Sequence, residues 1–97
     1  METQVTVIAR LRAKEGKENS LKEILLDLIE PSRRDEGCIN YDLHQSDNDS
    51  SMFMFHENWT SKEALDKHLA TPHLQSFIKE SEGLLAKPLD VSLWSKL

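Results

Sequence analysis

From Gln4 to Arg12 the chain alternates, with Val5, Val7, Ala9 and Leu11 on one side and Thr6, Ile8, Arg10 and Arg12 on the other. Period two with β-branched residues in its first half predicts a strand. After Gly16 the period changes, and Leu21, Ile24, Leu25, Leu28 and Ile29 take the i, i+3, i+4, i+7, i+8 spacing of one buried helical stripe. Pro31 falls within that helix, so a kink or a last turn that restarts beyond it is expected. Gly37 suits the helix end or the turn after it. Ile39, Tyr41 and Leu43 then alternate with Asn40, Asp42 and His44, a second strand. The polar cluster from Asp47 to Ser50 turns the chain back, so Met52 to Trp59 should pair antiparallel as a third.

Two short helices are expected next. Thr60 stands three residues before Glu63, the spacing of a capping box. Thr71 followed by Pro72 marks a second start, because proline at a first helical position forfeits no hydrogen bond. The pair should end near Gly83, carry His68 and His73 near its joint, and turn Leu65, Leu69, Leu74, Phe77 and Ile78 inward. After Pro88, Leu89, Val91 and Leu93 alternate with Asp90, Ser92 and Trp94 in a fourth strand. Strand, helix, strand, strand, helix pair, strand is the order of an α+β, ferredoxin-like split βαβ with an antiparallel sheet. These helices cover one sheet face. Met52 and Met54 alternate with Phe53 and Phe55, which makes both faces apolar and predicts a homodimer as the simplest cover for the second.

Ninety-seven residues make one domain, residues 1–97, and a domain this small buries only ~60 to 65% of its unfolded surface. A net charge of -5 and twelve scattered Lys and Arg argue against a nucleic-acid partner. No segment is long enough to span a membrane, and the apolar run from Val5 to Ala9 is too short for a signal peptide. A lone cysteine, Cys38, forms no internal disulfide, which suits a reducing, cytoplasmic setting.

Candidate chemistry narrows by elimination. His44, His56, His68, His73 and Glu57 offer metal donors, but His68 and His73 are five apart with a proline between, and His56 and Glu57 point to opposite strand faces, so no metal site is expected. No nucleophile elbow or phosphate loop is present, and Cys38 has no local base. What remains is an apolar pocket. Its candidate walls are Tyr41, Phe53, Phe55, Trp59, Phe77 and Trp94, and its candidate polar groups are Glu57, Asn58, His68 and His73, against the plainer reading that these residues are core. Glu57 on an apolar strand must find a partner or take up a proton, the partner being helix-start amides or an arginine such as Arg10. His68, following Leu65 by three and Ala64 by four, faces inward as a core histidine or a pocket base. His44 is expected to be a solvated residue near the hairpin.

Read together, Glu36-Gly37-Cys38-x-x-Tyr41, then F-x-x-x-E-x-W from Phe53 to Trp59, then A-L-x-x-H-x-x-T-P-H-x-x-x-F from Ala64 to Phe77, resemble the antibiotic biosynthesis monooxygenase family and its small quinol-monooxygenase-like members. The resemblance spans nearly the whole chain. It implies a dimeric α+β barrel, and oxygenation of a quinol- or anthrol-like small aromatic by dioxygen with no metal, flavin or haem. His68 would be the base, and Tyr41, Phe53, Phe55, Asn58, Trp59, His73 and Phe77 would surround the substrate. His56 departs from the apolar residue common at its position. Haem-degrading relatives use a histidine about one turn past Phe77, where this chain has Ile78 and Lys79. An isomerase of a small signalling hydroxy-ketone and a non-catalytic ligand-binding dimer are the alternatives.

Overall fold

The computed structural model describes residues 3–97. Its elements are β1 (Val5–Arg12), α1 (Glu18–Arg33), β2 (Cys38–Gln45), β3 (Met52–Trp59), α2 (Lys62–Leu69), α3 (Pro72–Ser81) and β4 (Asp90–Trp94). The strands form one antiparallel sheet in the order β2-β3-β1-β4, the ferredoxin-like arrangement expected. Alternation puts Val7, Ala9, Leu11, Tyr41, Phe53, Phe55, Glu57 and Trp59 under the helices, where all are buried. Leu21, Leu25 and Leu28 of α1 and Leu65, Leu74 and Phe77 of the short helices close over them.

Local chemistry explains the joints. Pro31 sits in the last turn of α1, which runs on to Arg33 without restarting. Gly37 adopts φ +82°, and a Cβ there would stand 2.5 Å from Ala64 Cβ and 2.7 Å from Thr60 Oγ1. Only glycine lets the β2 entry lie this close to α2. The start of α2 differs from the capping-box expectation: β3 holds the chain through Trp59, Thr60 N–H donates to Gly37 O at 2.8 Å, and Ser61 is the cap, accepting from Ala64 N–H at 3.1 Å. At α3 the expected Thr71 cap and Pro72 start are both present. Thr71 Oγ1 donates to the His68 carbonyl at 2.7 Å and accepts from Leu74 N–H at 3.4 Å, so one hydroxyl joins the two helix ends.

Two packing expectations need correction. Leu69 and Ile78 are 44% and 40% exposed, because the helices turn only Leu65, Leu74 and Phe77 fully inward. The uncovered sheet face is also more polar than β3 alone suggests. Beside Ile8, Met52, Met54 and Trp94 it carries Thr6, Asn40, Asp42, His56, Asn58 and Ser92. Four exposed apolar residues line up along edge strand β4 and the residue before it, where Leu89, Val91, Leu93 and Trp94 are 38 to 59% exposed. No helix among the described residues is long and apolar enough to cross a membrane.

Candidate active site

An apolar cavity of about 80 Å³ lies between the sheet and the helix pair. Strands supply Val7, Ala9, Leu11, Tyr41, Phe55, Glu57 and Val91, helices supply Leu65, His68, Leu69, Leu74, Phe77 and Ile78, and Leu89 stands at the entrance to β4. The polar members are Tyr41, Glu57 and His68. Tyr41, Phe55 and Phe77 therefore occupy the wall the sequence suggests. Phe53, Asn58, Trp59, His73 and Trp94 do not reach it. Phe53 and Trp59 are fully buried core, and Trp94 is 59% exposed on the other sheet face. Asn58 follows Glu57 by one residue and so points through the sheet, where its Oδ1 accepts from Thr6 Oγ1 at 2.6 Å and its Nδ2 donates to Asn40 Oδ1 at 2.7 Å. His44 is exposed near the hairpin, as expected.

Glu57 finds neither partner expected for it. Arg10 lies exposed on the opposite face, and Glu57 Oε1 instead accepts from the Trp59 indole N–H at 2.9 Å. Burial raises its pKa from 4.5 to about 7, with the Trp59 hydrogen bond pulling weakly the other way. Its second oxygen has no partner among the described residues. Tyr41 pairs directly across from Glu57. Burial first, then the charge on Glu57, raises the pKa of the phenol, so Tyr41 stays protonated and acts as a donor. Cys38 is pushed up to about 11 by burial and nearby carboxylates, which removes it as a nucleophile.

His68 is 2% exposed, stacked on Trp59 with ring centroids 4.4 Å apart and edge-on to Tyr41 at 5.4 Å. Its Nδ1 lies 2.7 Å from Asp35 Oδ2. The carboxylate only accepts, so Nδ1 carries the proton and Nε2 keeps its lone pair, with no protein partner among the described residues. Burial lowers the pKa of His68, against the opposing pull of Asp35, and favours the neutral ring with that lone pair free. His73 Nε2 donates to the same Asp35 oxygen at 2.8 Å.

Asp35 is the functional residue the sequence does not reveal. It precedes Gly37 in the turn after α1, with no periodic or capping signal to single it out. The break at Thr71 and Pro72 also defeats the spacing argument about the histidines: it folds two residues five apart onto one carboxylate. The donor atoms of Asp35, His68 and His73 all lie within 4.8 Å of one another.

The model of the family described as antibiotic biosynthesis monooxygenase matches residues 4–80. The chain belongs to this family. The crystal structure of PA3566 from Pseudomonas aeruginosa superposes with a TM-score of 0.94 at 36% identity, covering 100% of this chain and 97% of that one. Rv0793 of Mycobacterium tuberculosis, provisionally named a monooxygenase, is 32% identical over 97 residues, covering 100% of this chain and 95% of its own; its structure superposes with a TM-score of 0.93. An uncharacterized Synechocystis protein, sll1783, is 32% identical over 90 residues, or 93% of this chain, and the match spans 61% of that protein's length.

The buried Glu57 gives this monooxygenase-family chain a measurable pH signature. Its folded pKa lies above its unfolded value, so the native state binds more protons between about pH 4.5 and 7 and stability falls as pH rises through that window. The full effect is about 3 kcal/mol at 1.36 kcal/mol per pH unit. Glu57→Gln should abolish this component and be more stable than the parent at pH 8. Denaturation midpoints of both proteins from pH 4.5 to 8 test it, because taking the difference cancels the opposite contribution of His68. Parallel curves would contradict the assignment.

Proposed function

We propose that the chain is a cofactor-independent monooxygenase acting on a quinol- or anthrol-like aromatic held in the cavity beneath α2 and α3. The observation that carries the reading is the pairing of an almost wholly apolar wall with a His68 whose tautomer is set by Asp35. His68 Nε2 draws a proton from the phenol, and the electron-rich anion passes one electron to dioxygen. The resulting radical and superoxide join in a C–O bond, and the peroxide takes back the proton. Loss of water across the O–O bond leaves a carbonyl, so that, counted on the keto tautomer of the substrate, one ring methylene and one dioxygen become one ring carbonyl and one water. Tyr41 and protonated Glu57 are the donors available to the developing oxyanion. Exclusion of water by Leu69, Leu74, Phe77 and Ile78 protects the anion and the peroxide.

Cavity size supports a small substrate. At ~10 to 15 Å³ per water, about 80 Å³ holds roughly half a dozen waters, which favours one or two fused rings over three. The small number of polar groups also weighs against a polyhydroxylated ketone, which would need several converging donors and acceptors. Oxygen uptake by exhaustively chelated protein with a panel of benzo- and naphthoquinols, corrected for autoxidation, should show saturable turnover. Activity restored only by one added metal would overturn the cofactor-free reading.

The working unit proposed is a homodimer. Support comes from the apolar strip along β4, whose Leu89 and Val91 also border the cavity, so a second copy seated there would close its mouth. Sedimentation equilibrium should return twice the mass of the chain. A stable folded monomer at micromolar concentration would contradict this.

A further inference from the structure

We propose that Asp35, His68 and His73 form a binding site for a divalent transition-metal ion of the zinc class, and that such an ion switches the cavity off by taking His68 Nδ1. The switch, though not the site, rests on the monooxygenase reading above. Three independent elements bring the donors together: the turn after α1, the last turn of α2 and the first turn of α3. Asp35 Oδ2 is 2.7 Å from His68 Nδ1 and 2.8 Å from His73 Nε2, so small side-chain movements open a three-ligand pocket around one point. Two imidazoles and a carboxylate suit zinc, cobalt or nickel, with water completing the shell. Access comes from the His73 side, where the side chains of His73 and Asp35 are 25% and 15% exposed. A surface groove lined by Asp27, His73 and Glu80 opens there and adds two attracting carboxylates.

The exclusion follows from the ring. An imidazole has one proton to place between two nitrogens. In the apo protein it sits on Nδ1, bonded to Asp35, and Nε2 accepts. A metal on Nδ1 leaves the proton on Nε2, which then donates toward the cavity and takes no proton from a phenol. The ion and the working base cannot coexist on one ring.

Chelated protein is titrated with Co²⁺, whose visible absorption reports coordination number, and with Zn²⁺ by calorimetry, both without substrate. One ion per chain should bind with a four- or five-coordinate spectrum. Asp35→Asn and His73→Gln, confirmed as folded by circular dichroism and thermal melting, should bind at least ~100-fold more weakly, since even loss of an outer partner costs ~10 to 100-fold. His44→Ala, altered at an exposed site far from the cluster, should match the parent. Absence of saturable binding, a spectrum of the fully hydrated ion, or equal affinity in His73→Gln would overturn the site. Nitrogen-15 spectra of labelled histidine then read the switch directly: Zn²⁺ should move the His68 Nε2 signal from unprotonated to protonated. An unmoved signal at saturating zinc would overturn the switch, as would oxygen uptake undiminished at that concentration. Failure of every quinol to react would count against the monooxygenase reading and leave both metal tests decisive.

Discussion

His68→Ala is expected to lower turnover per folded molecule by ~10² to 10⁴-fold, the usual worth of a general base. It should also cost stability, because His68 is buried against Trp59 and its removal takes from Asp35 one of its two imidazole partners, leaving only His73. A hydrogen bond to a charged group is typically worth ~1.5 to 3 kcal/mol. Both effects have one cause in the structure but separate in measurement: the denaturation midpoint reads the second, and oxygen consumption normalised to the folded fraction reads the first. A destabilised variant with the parent's rate per folded molecule would make His68 a core residue and nothing more. Asp35→Asn sharpens the test. An amide in place of the carboxylate can present its N–H to Nδ1, favouring the tautomer with the proton on Nε2, so kcat should fall while KM changes little.

The largest effect on folding is expected at a residue with no side chain to take part in the chemistry. Gly37→Ala meets two penalties together: a left-handed backbone at φ +82°, and a methyl 2.5 Å from Ala64 Cβ, which is short and anchored in α2. Left-handed strain and overpacking each cost ~1 to 3 kcal/mol, so a loss of about 2 to 5 kcal/mol is expected. For a domain of this size that lowers Tm by roughly 10 to 30 °C. Gly16→Ala shares the positive φ but meets no atom within 4 Å, so it isolates the backbone share and should cost ~1 kcal/mol. Equal Tm losses in the two variants, measured by calorimetry, would show that close contact with α2 contributes nothing.

The fold was legible because its signals are local and periodic. The stripe from Leu21 to Ile29, the alternation of Val5 to Leu11 and the Thr71-Pro72 start each report their element without reference to the rest of the chain. The cap of α2 falls one residue later than the capping-box spacing predicts, on Ser61 instead of Thr60. The competing bond from Thr60 N–H to Gly37 O decides between them, and it is long-range. The site divides in the same way. His68 and Glu57 are legible as polar residues on apolar faces, whereas Asp35 is visible only once α1, α2 and α3 are packed. Asn58 could have been removed by strict alternation from Glu57, a rule the sequence already carries. The mixed character of the open sheet face was hidden because Met52 and Met54 of β3 dominate the local pattern, whereas most of its polar residues, Thr6, Asn40, Asp42 and Ser92, come from β1, β2 and β4.

Labelled dioxygen tests most directly whether a base in an apolar cavity inserts oxygen without a cofactor. Chelated protein is given a reactive quinol under oxygen-18 gas in ordinary water, and the product mass is read after a single turnover. One labelled oxygen in the product, formed ~10² to 10⁴-fold more slowly by His68→Ala, is the expected result. An oxidised product carrying no label would mean that the protein removes electrons or rearranges its substrate without inserting oxygen, and would contradict the account.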